Sequence, residues 1–209
     1  MSHSYRLLPG LFLILMASGC HDFVRAKFNR GEGVGEEGIL VVPFSEPSLE
    51  KWYGESENGQ IAAIAFKTWA RENADASFPE GEEVGQVLRQ VADWPKKEIS
   101  ANQWRQLTAA LGVKYVLYGQ IESLTLERPN RIGLLEPRVE ASYRVVNVHT
   151  ARLEYEDLKC VVEGSGSSDF DPPQVFLGGE GDGRERARKI VLAKLGERIG
   201  KDLYGYYSE

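Results

Sequence analysis

Apolar residues recur three and four positions apart in four segments of the chain, and this period is typical of amphipathic α-helices. The four segments are residues 60–73, 84–91, 104–111 and 184–206. Ser100 and Gln103 form a capping box before the third segment, and Gly112 is expected to end that helix. The last segment carries lysine and arginine on its polar face, which predicts an amphipathic helix that closes the fold.

Four other segments have the pattern of β-strands. Residues 39–42 form an unbroken apolar run ended by Pro43, which is typical of a strand buried on both faces. Three longer segments are rich in β-branched and aromatic residues and partly alternate, which predicts antiparallel strands with one buried face. They are residues 113–126, 138–148 and 153–162. Residues 149–152 are predicted to form a hairpin turn, in which Ala151 is strained if the turn requires a positive φ.

Together these elements predict an α/β (α+β) fold. We expect a mixed sheet of about four to five strands with helices packed on it, closed by the C-terminal amphipathic helix. The expected division of the chain is a lipoprotein signal peptide at residues 1–19, a lipidated cysteine and flexible tether at residues 20–37, and a single α/β domain at residues 38–209.

The segment LLPGLFLILMASGC has the features of a secretory signal. Its apolar part, residues 7–16, follows Arg6 and is much shorter than the about 20 residues that a membrane-spanning helix needs. The small residues before Cys20 resemble the lipobox of bacterial lipoproteins, and this resemblance implies that Cys20 is acylated and becomes the first residue of the mature chain. The alternative is an ordinary signal peptide cut after Gly19, which leaves an unmodified thiol.

Acylation of Cys20 predicts the location of the protein. We expect a protein held by its acyl chains on a membrane of the bacterial cell envelope and facing the periplasm. His21 follows the cysteine, where an aspartate resembles an inner-membrane retention signal, so the outer membrane is favoured.

Composition and charge exclude several functions. The chain has 25 basic and 31 acidic residues and a net charge of −6, which argues against a nucleic-acid partner. Cys160 is the second of two cysteines, so an acylated Cys20 leaves it without a disulfide partner. Because Cys160, His21 and His149 do not make a zinc ligand set, we expect neither a metal nor a small-molecule cofactor.

A catalytic set is not evident either. His149 falls in the predicted hairpin turn, where a structural role is expected. Cys160 is placed inside a strand with Leu158 and Val162 on the same face, and it is expected to be a buried structural thiol. The chain is therefore predicted not to be an enzyme.

The segment 164–183 and the long strand region at residues 113–126 form a candidate contact surface. The segment 164–183 supplies the candidate contact residues. It is rich in glycine, serine, aspartate and proline, and loops of this length in compact domains are often functional. The apolar residues within it are Phe170, Val175, Phe176 and Leu177. We expect these residues to contact a partner protein, and the alternative is that they fold back on the core.

Three short motifs resemble a group of periplasmic domains. Residues 39–44 (ILVVPF), 111–121 (LGVKYVLYGQI) and 144–152 (RVVNVHTAR) are similar to the α/β domain of these proteins, which is anticodon-binding-like. The group includes the N-terminal domain of the Tol-associated propeller protein, the lipoprotein activators of penicillin-binding proteins, and the curli secretion lipoprotein. The resemblance implies a non-catalytic, protein-binding or assembly module whose partner is another envelope protein.

Two other functions remain as alternatives. One is a subunit of an outer-membrane secretion assembly, by analogy with the curli lipoprotein. The second is an envelope hydrolase that uses a carboxylate pair, for which Glu82 and Glu83, or Asp169 and Asp171, are candidates.

Overall fold

The computed structural model describes residues 38–51, 53–92, 99–127, 135–164 and 180–205. The helices are α1 (Glu57–Ala74), α2 (Glu82–Ala92), α3 (Ala101–Leu107) and α4 (Glu180–Tyr204). The strands are β1 (Ile39–Val41), β2 (Tyr115–Glu127), β3 (Leu135–Asn147) and β4 (Arg152–Glu163). A short 3-10 helix, Pro47–Leu49, lies between β1 and α1. The predicted order of helices and strands is confirmed.

The four strands form one mixed sheet in the order β1-β2-β3-β4. β1 and β2 are parallel, and the long crossover between them contains three helices. β2, β3 and β4 are antiparallel neighbours. Among the strands of the described residues, β1 and β4 are therefore the two edge strands. The predicted fold class, a mixed sheet with packed helices and a C-terminal helix, is confirmed.

Alternate residues of the strands are buried in two separate clusters, one on each face of the sheet. The first face packs against α1 and α4, and its strand residues are Ile39, Val41, Tyr115, Leu117, Ile121, Val139, Ala141, Tyr143, Val145 and Cys160. The second face packs against α2 and α3, and its strand and strand-end residues are Leu40, Val42, Val116, Tyr118, Val146 and Val148. The prediction that the first strand is buried on both faces is confirmed.

The third helix begins as predicted but ends earlier. Gln103 N donates to Ser100 Oγ at 3.4 Å, and Ser100 N donates to Gln103 Oε1 at 2.9 Å, which is the capping box. The helix ends at Leu107, and Thr108 is its C-cap with a φ of −99°. The amide and the hydroxyl of Thr108 both donate to the carbonyl of Trp104, at 3.0 and 2.8 Å. Gly112 was expected to follow the helix directly, and that prediction is wrong. It lies in the turn before β2 with a φ of 63°.

The hairpin between β3 and β4 is held by Asn147. Its Oδ1 accepts hydrogen bonds from the amides of His149 and Thr150, at 3.0 and 3.2 Å. Ala151 has a φ of 53°, so the residue occupies the left-handed region in which a Cβ is strained. The predicted hairpin turn is confirmed, and so is its strain.

Several predicted features lie outside the described residues. They are the signal segment, Cys20, the tether, and the candidate contact residues Phe170, Val175, Phe176 and Leu177. Within the described part of the chain, no helix combines the length and the apolar character needed to cross a bilayer.

Candidate functional site

β4 is an edge strand twelve residues long, and among the described residues its only strand neighbour is β3. Its outer edge presents backbone amides and carbonyls that no described strand pairs with. A strand edge of this length can pair with a strand of another chain, and proteins usually prevent such pairing with charged side chains or bulges. β4 has both kinds of protection, but it also exposes apolar side chains.

A β-bulge in β4 determines which of its side chains are exposed. Ala141 pairs with Cys160 and Tyr143 pairs with Asp157, so two residues of β4 lie opposite Ser142. These two residues are Leu158 and Lys159. As a result, Asp157 and Cys160 lie on the same face of the sheet although they are three positions apart in the sequence.

The bulge also corrects one prediction. Leu158 was expected to share the buried face of Cys160, but it is 60% exposed because it lies opposite Ser142 in the bulge. Leu153 and Val161 are 48% and 36% exposed and pair with Val146 and Glu140. We call Leu153, Leu158 and Val161 the β4 strip, in which Glu156, ion-paired with Arg144, lies between the first two residues. An apolar strip on an open strand edge is a surface suited to binding a protein.

On the opposite face, β4 meets the last turns of α4 at a cluster of polar side chains. The ligand atoms of Asp157, Cys160 and Asp202 all lie within 4.8 Å of one another, and we call these three residues the β4–α4 cluster. Tyr143 donates its hydroxyl to Asp202 Oδ2 at 2.8 Å, and Arg198 Nε donates to the same oxygen at 2.9 Å. A strand residue and a helix residue therefore fix the Asp202 carboxylate in place.

The surroundings of the Cys160 thiol and the Tyr143 hydroxyl favour the protonated form of both groups. Burial, followed by the charges of Asp157 and Asp202, raises the pKa of Cys160 to about 12. Burial, with the nearby Tyr155 hydroxyl and the Asp202 carboxylate, raises the pKa of Tyr143 well above its usual range. The thiol is therefore protonated at neutral pH, and this argues against a nucleophilic role. The expectation that Cys160 is buried is confirmed, since it is 3% exposed.

A second polar network joins the start of α1 to the segment that follows β1. Ser56 donates its hydroxyl to the buried carboxylate of Glu46, and Asn58 Nδ2 donates to Glu46 Oε1 at 2.9 Å. Ser56 Oγ also accepts from Gly59 N at 2.8 Å as the N-cap of α1. This network ties the start of α1 to the segment after β1, with Ser56 as the N-cap of the helix.

The other residues considered for chemistry are dispersed in the structure. His149 lies in the exposed hairpin turn, and Glu82 and Glu83 are exposed in the first turn of α2, where carboxylates favour the helix dipole. Asp169 and Asp171 lie outside the described residues. The structure brings none of the three described residues to the β4–α4 cluster.

Sequence reasoning missed the partners of Cys160. Asp157 is three positions away and would face the opposite side of a regular strand, and Asp202 belongs to a different element. One signal was available: Tyr155, Asp157 and Cys160 are polar or polarisable residues in a strand otherwise interpreted from its apolar pattern.

No family model matches the chain, and no curated protein matches it. Among solved structures, it is similar to a PelC dodecamer from Paraburkholderia phytofirmans, with 13% identity, a TM-score of 0.49, and coverage of 87% of this chain and 93% of that one. It is also similar to the hypothetical protein CT253 from Chlamydia trachomatis, with 9% identity, a TM-score of 0.49, and coverage of 80% and 98%. A third is the lipoprotein GNA1162 from Neisseria meningitidis, with 18% identity, a TM-score of 0.44, and coverage of 68% and 91%.

The third of these proteins is named as a lipoprotein. At these identities and TM-scores, the likeness is limited to the general arrangement of helices and strands. It assigns no partner and no activity to this chain.

Proposed function

We propose that the chain is a lipid-anchored lipoprotein of the bacterial cell envelope, facing the periplasm, whose α/β domain binds another envelope protein and catalyses no reaction. The anchor is the acylated Cys20, and residues 21–37 are the tether. The outer membrane is the favoured location because His21 follows the cysteine.

The proposal of an anchor is based on the sequence of residues 1–20. Two or more acyl chains on one residue hold a protein on a bilayer, because each buried methylene contributes about 0.8 kcal/mol whereas a single chain binds only reversibly. A flexible tether of 17 residues has a typical reach of roughly 20–25 Å, which lets the domain contact proteins close to the membrane.

The binding role rests on one observation, the β4 strip on an open strand edge. A partner that adds an extended segment to β4 gains backbone hydrogen bonds along the edge and buries Leu153 and Leu158. The residues that follow β4, with Phe170, Val175, Phe176 and Leu177, continue from this edge along the chain and extend the proposed contact.

The absence of catalysis rests on the chemistry of the polar groups. The thiol of Cys160 is buried and has a raised pKa, and the hydroxyl of Ser56 is held as an N-cap. His149 lies in the turn that precedes β4, outside the elements that hold Cys160 and Ser56.

A matched pair of charge substitutions tests the proposed contact. Leu158 and Ile64 are 60% and 57% exposed, on β4 and α1. Each is replaced by lysine in the full-length chain, which is expressed in its native envelope with a photocrosslinking residue at Glu154, an exposed position of β4. Circular dichroism and thermal unfolding first establish that both variants fold as well as the unaltered chain.

The proposal expects Leu158→Lys to lose the crosslinked partner and Ile64→Lys to retain it. A lysine at the centre of an apolar contact must be desolvated, whereas at an uninvolved surface position it stays in water. Equal crosslinking by both variants contradicts a contact at β4. Loss of crosslinking by Ile64→Lys alone places the contact on α1 instead.

A further inference from the structure

We propose that Asp157, Cys160 and Asp202 bind one divalent cation of the zinc type, through the Cys160 thiolate and one oxygen of each carboxylate. This inference concerns the opposite face of β4 from the proposed protein contact. It does not depend on the anchor or on the partner.

The geometry brings three ligand atoms together from two elements. The bulge in β4 directs Asp157 and Cys160 to the same face, where α4 supplies Asp202 in its last turns. The ligand atoms are within 4.8 Å of one another. Zinc–sulfur and zinc–oxygen bonds of about 2.3 and 2.1 Å place tetrahedral ligands roughly 3.5 Å apart. Convergence by about 1 Å is within the range of side-chain rotation on a fixed backbone.

The thiol is a second, separate indication of a ligand. Cys160 is 3% exposed, and no described residue forms a hydrogen bond with its Sγ. The sulfur lies instead within 4.8 Å of a ligand atom of each of the two carboxylates. A buried soft donor therefore faces two oxygen donors at one point, and a thiolate with harder donors is a ligand set that suits zinc.

The two carboxylates are already oriented for binding. Lys159 N donates to Asp157 Oδ1 at 2.8 Å, and Tyr143 and Arg198 donate to Asp202 Oδ2. Within the described part of the chain, Oδ2 of Asp157 and Oδ1 of Asp202 accept no hydrogen bond. Bonds of this kind to the second oxygen of a ligand fix its orientation and tune its basicity in metal sites.

The charges of the site balance a divalent ion. Two carboxylates and a thiolate contribute three negative charges, and the Arg198 guanidinium beside Asp202 offsets one of them. On binding, the Cys160 S–H bond breaks, its proton goes to solvent, and a sulfur–metal bond forms without any change of oxidation state. Two negative charges then remain to meet the two positive charges of the cation.

The donor set selects the class of cation. A thiolate ligand favours zinc and related soft or borderline ions over magnesium and calcium, which take oxygen ligands. Three protein ligands leave a fourth tetrahedral position for water.

The test uses the full-length chain with Cys20→Ala, in which Cys160 is the single thiol. Cadmium alone is titrated into this protein, and the ultraviolet charge-transfer absorbance of a cadmium–thiolate bond is recorded. Zinc alone is then added to displace the cadmium, and thermal unfolding is followed with and without zinc. We expect one cadmium per chain, full displacement by zinc, and a higher unfolding temperature in zinc, because the ion binds only the folded state.

Three variants assign the ligands. Cys160→Ser is expected to abolish the absorbance, and Asp202→Asn to weaken cadmium binding at least about tenfold while preserving an acceptor for Tyr143. Glu154→Gln, which removes an exposed carboxylate of β4 outside the cluster, is expected to change nothing.

Two results overturn the inference. The first is a folded protein that shows no stoichiometric cadmium binding. The second is undiminished binding in Asp157→Asn and Asp202→Asn combined, which means that the sulfur acts without the carboxylates.

Discussion

Gly200 of α4 lies against the indole ring of Trp69 in α1, so closely that a Cβ at Gly200 would fall 2.0 Å from Cε3 of the ring. One turn earlier, a Cβ at Gly196 would fall 2.4 Å from the backbone nitrogen of Phe66. These two glycines lie four positions apart and therefore on one face of α4. They allow α1 and α4 to approach each other closely as a layer on the first face of the sheet.

Alanine at either glycine is expected to destabilise the protein. Gly196→Ala and Gly200→Ala are each expected to lower the free energy of unfolding by about 1–3 kcal/mol, because backbone or ring atoms must move to admit the methyl group. Chemical denaturation measures the change. Gly85→Ala in α2 is the control, since its Cβ would meet only the end of the Arg89 side chain at 3.5 Å, and it is expected to stabilise the helix by up to about 1 kcal/mol. Equal effects at all three positions contradict the close approach of α1 and α4.

Glycine at the strained turn residue is expected to stabilise the protein. Ala151 has a φ of 53°, which costs an L-residue about 1–2 kcal/mol. Ala151→Gly removes this cost and adds about 0.5–1 kcal/mol of unfolded-state entropy, so a net gain of up to about 1 kcal/mol is expected in denaturation experiments. Ala110→Gly, in the turn after α3 where φ is not positive, is the control and is expected to lower stability. A loss of stability in both variants contradicts the backbone strain assigned to Ala151.

Arg188 makes part of the stability dependent on pH. Its hydrogen bonds, with its charge, lower the pKa of Glu57 and Glu185 below the ordinary value of 4.5. Carboxylates with a depressed folded pKa contribute stability above the unfolded pKa and lose it as pH falls through the folded pKa. Arg188→Met is therefore expected to show a smaller loss of unfolding temperature between about pH 7 and about pH 3 than the unaltered chain.

Arg186→Met provides the matched control for this measurement. Arg186 is exposed on the same helix and takes no part in these ion pairs, so its replacement is expected to leave the acid sensitivity unchanged. Parallel pH profiles for the unaltered chain and for Arg188→Met refute the assigned role of Arg188.

The segment after β4 supplies a further prediction. Replacement of Phe170 and Phe176 by serine is expected to reduce capture of the partner while leaving the thermal stability of the domain unchanged, because the proposed function uses their apolar area in binding. Affinity capture from native membranes and thermal unfolding are measured on the same preparations. Lower stability with full capture shows that the two side chains fold back on the core.

Local signals predicted those elements whose cause is local. The capping box at Ser100 and the strain at Ala151 follow from a few neighbouring residues, and both are present in the structure. The helix period and the alternation of the strands also predicted the correct fold class, because burial of one face requires apolar residues at regular spacing.

The polar residues of β4 were the local signal of the β4–α4 cluster, but they did not show which side chains meet. A bulge depends on the register between β3 and β4, so the sequence of β4 alone places Asp157 and Cys160 on opposite faces. Asp202 joins them through the packing of α4, and the exposure of Leu158 follows from the same bulge. Features that depend on contacts between distant segments were the ones that pattern reasoning missed.

The proposed attachment of the chain to a membrane is tested most directly by the mass of its mature amino terminus. Intact-mass and peptide mass spectrometry of protein extracted from envelopes with detergent are expected to find a chain that begins at Cys20 and carries diacylglycerol and acyl groups. A Cys20→Ala chain is expected to lack this mass and to be released from envelopes by washing. An unmodified Cys20 on the mature protein, or release of the unaltered chain without detergent, contradicts the proposed function.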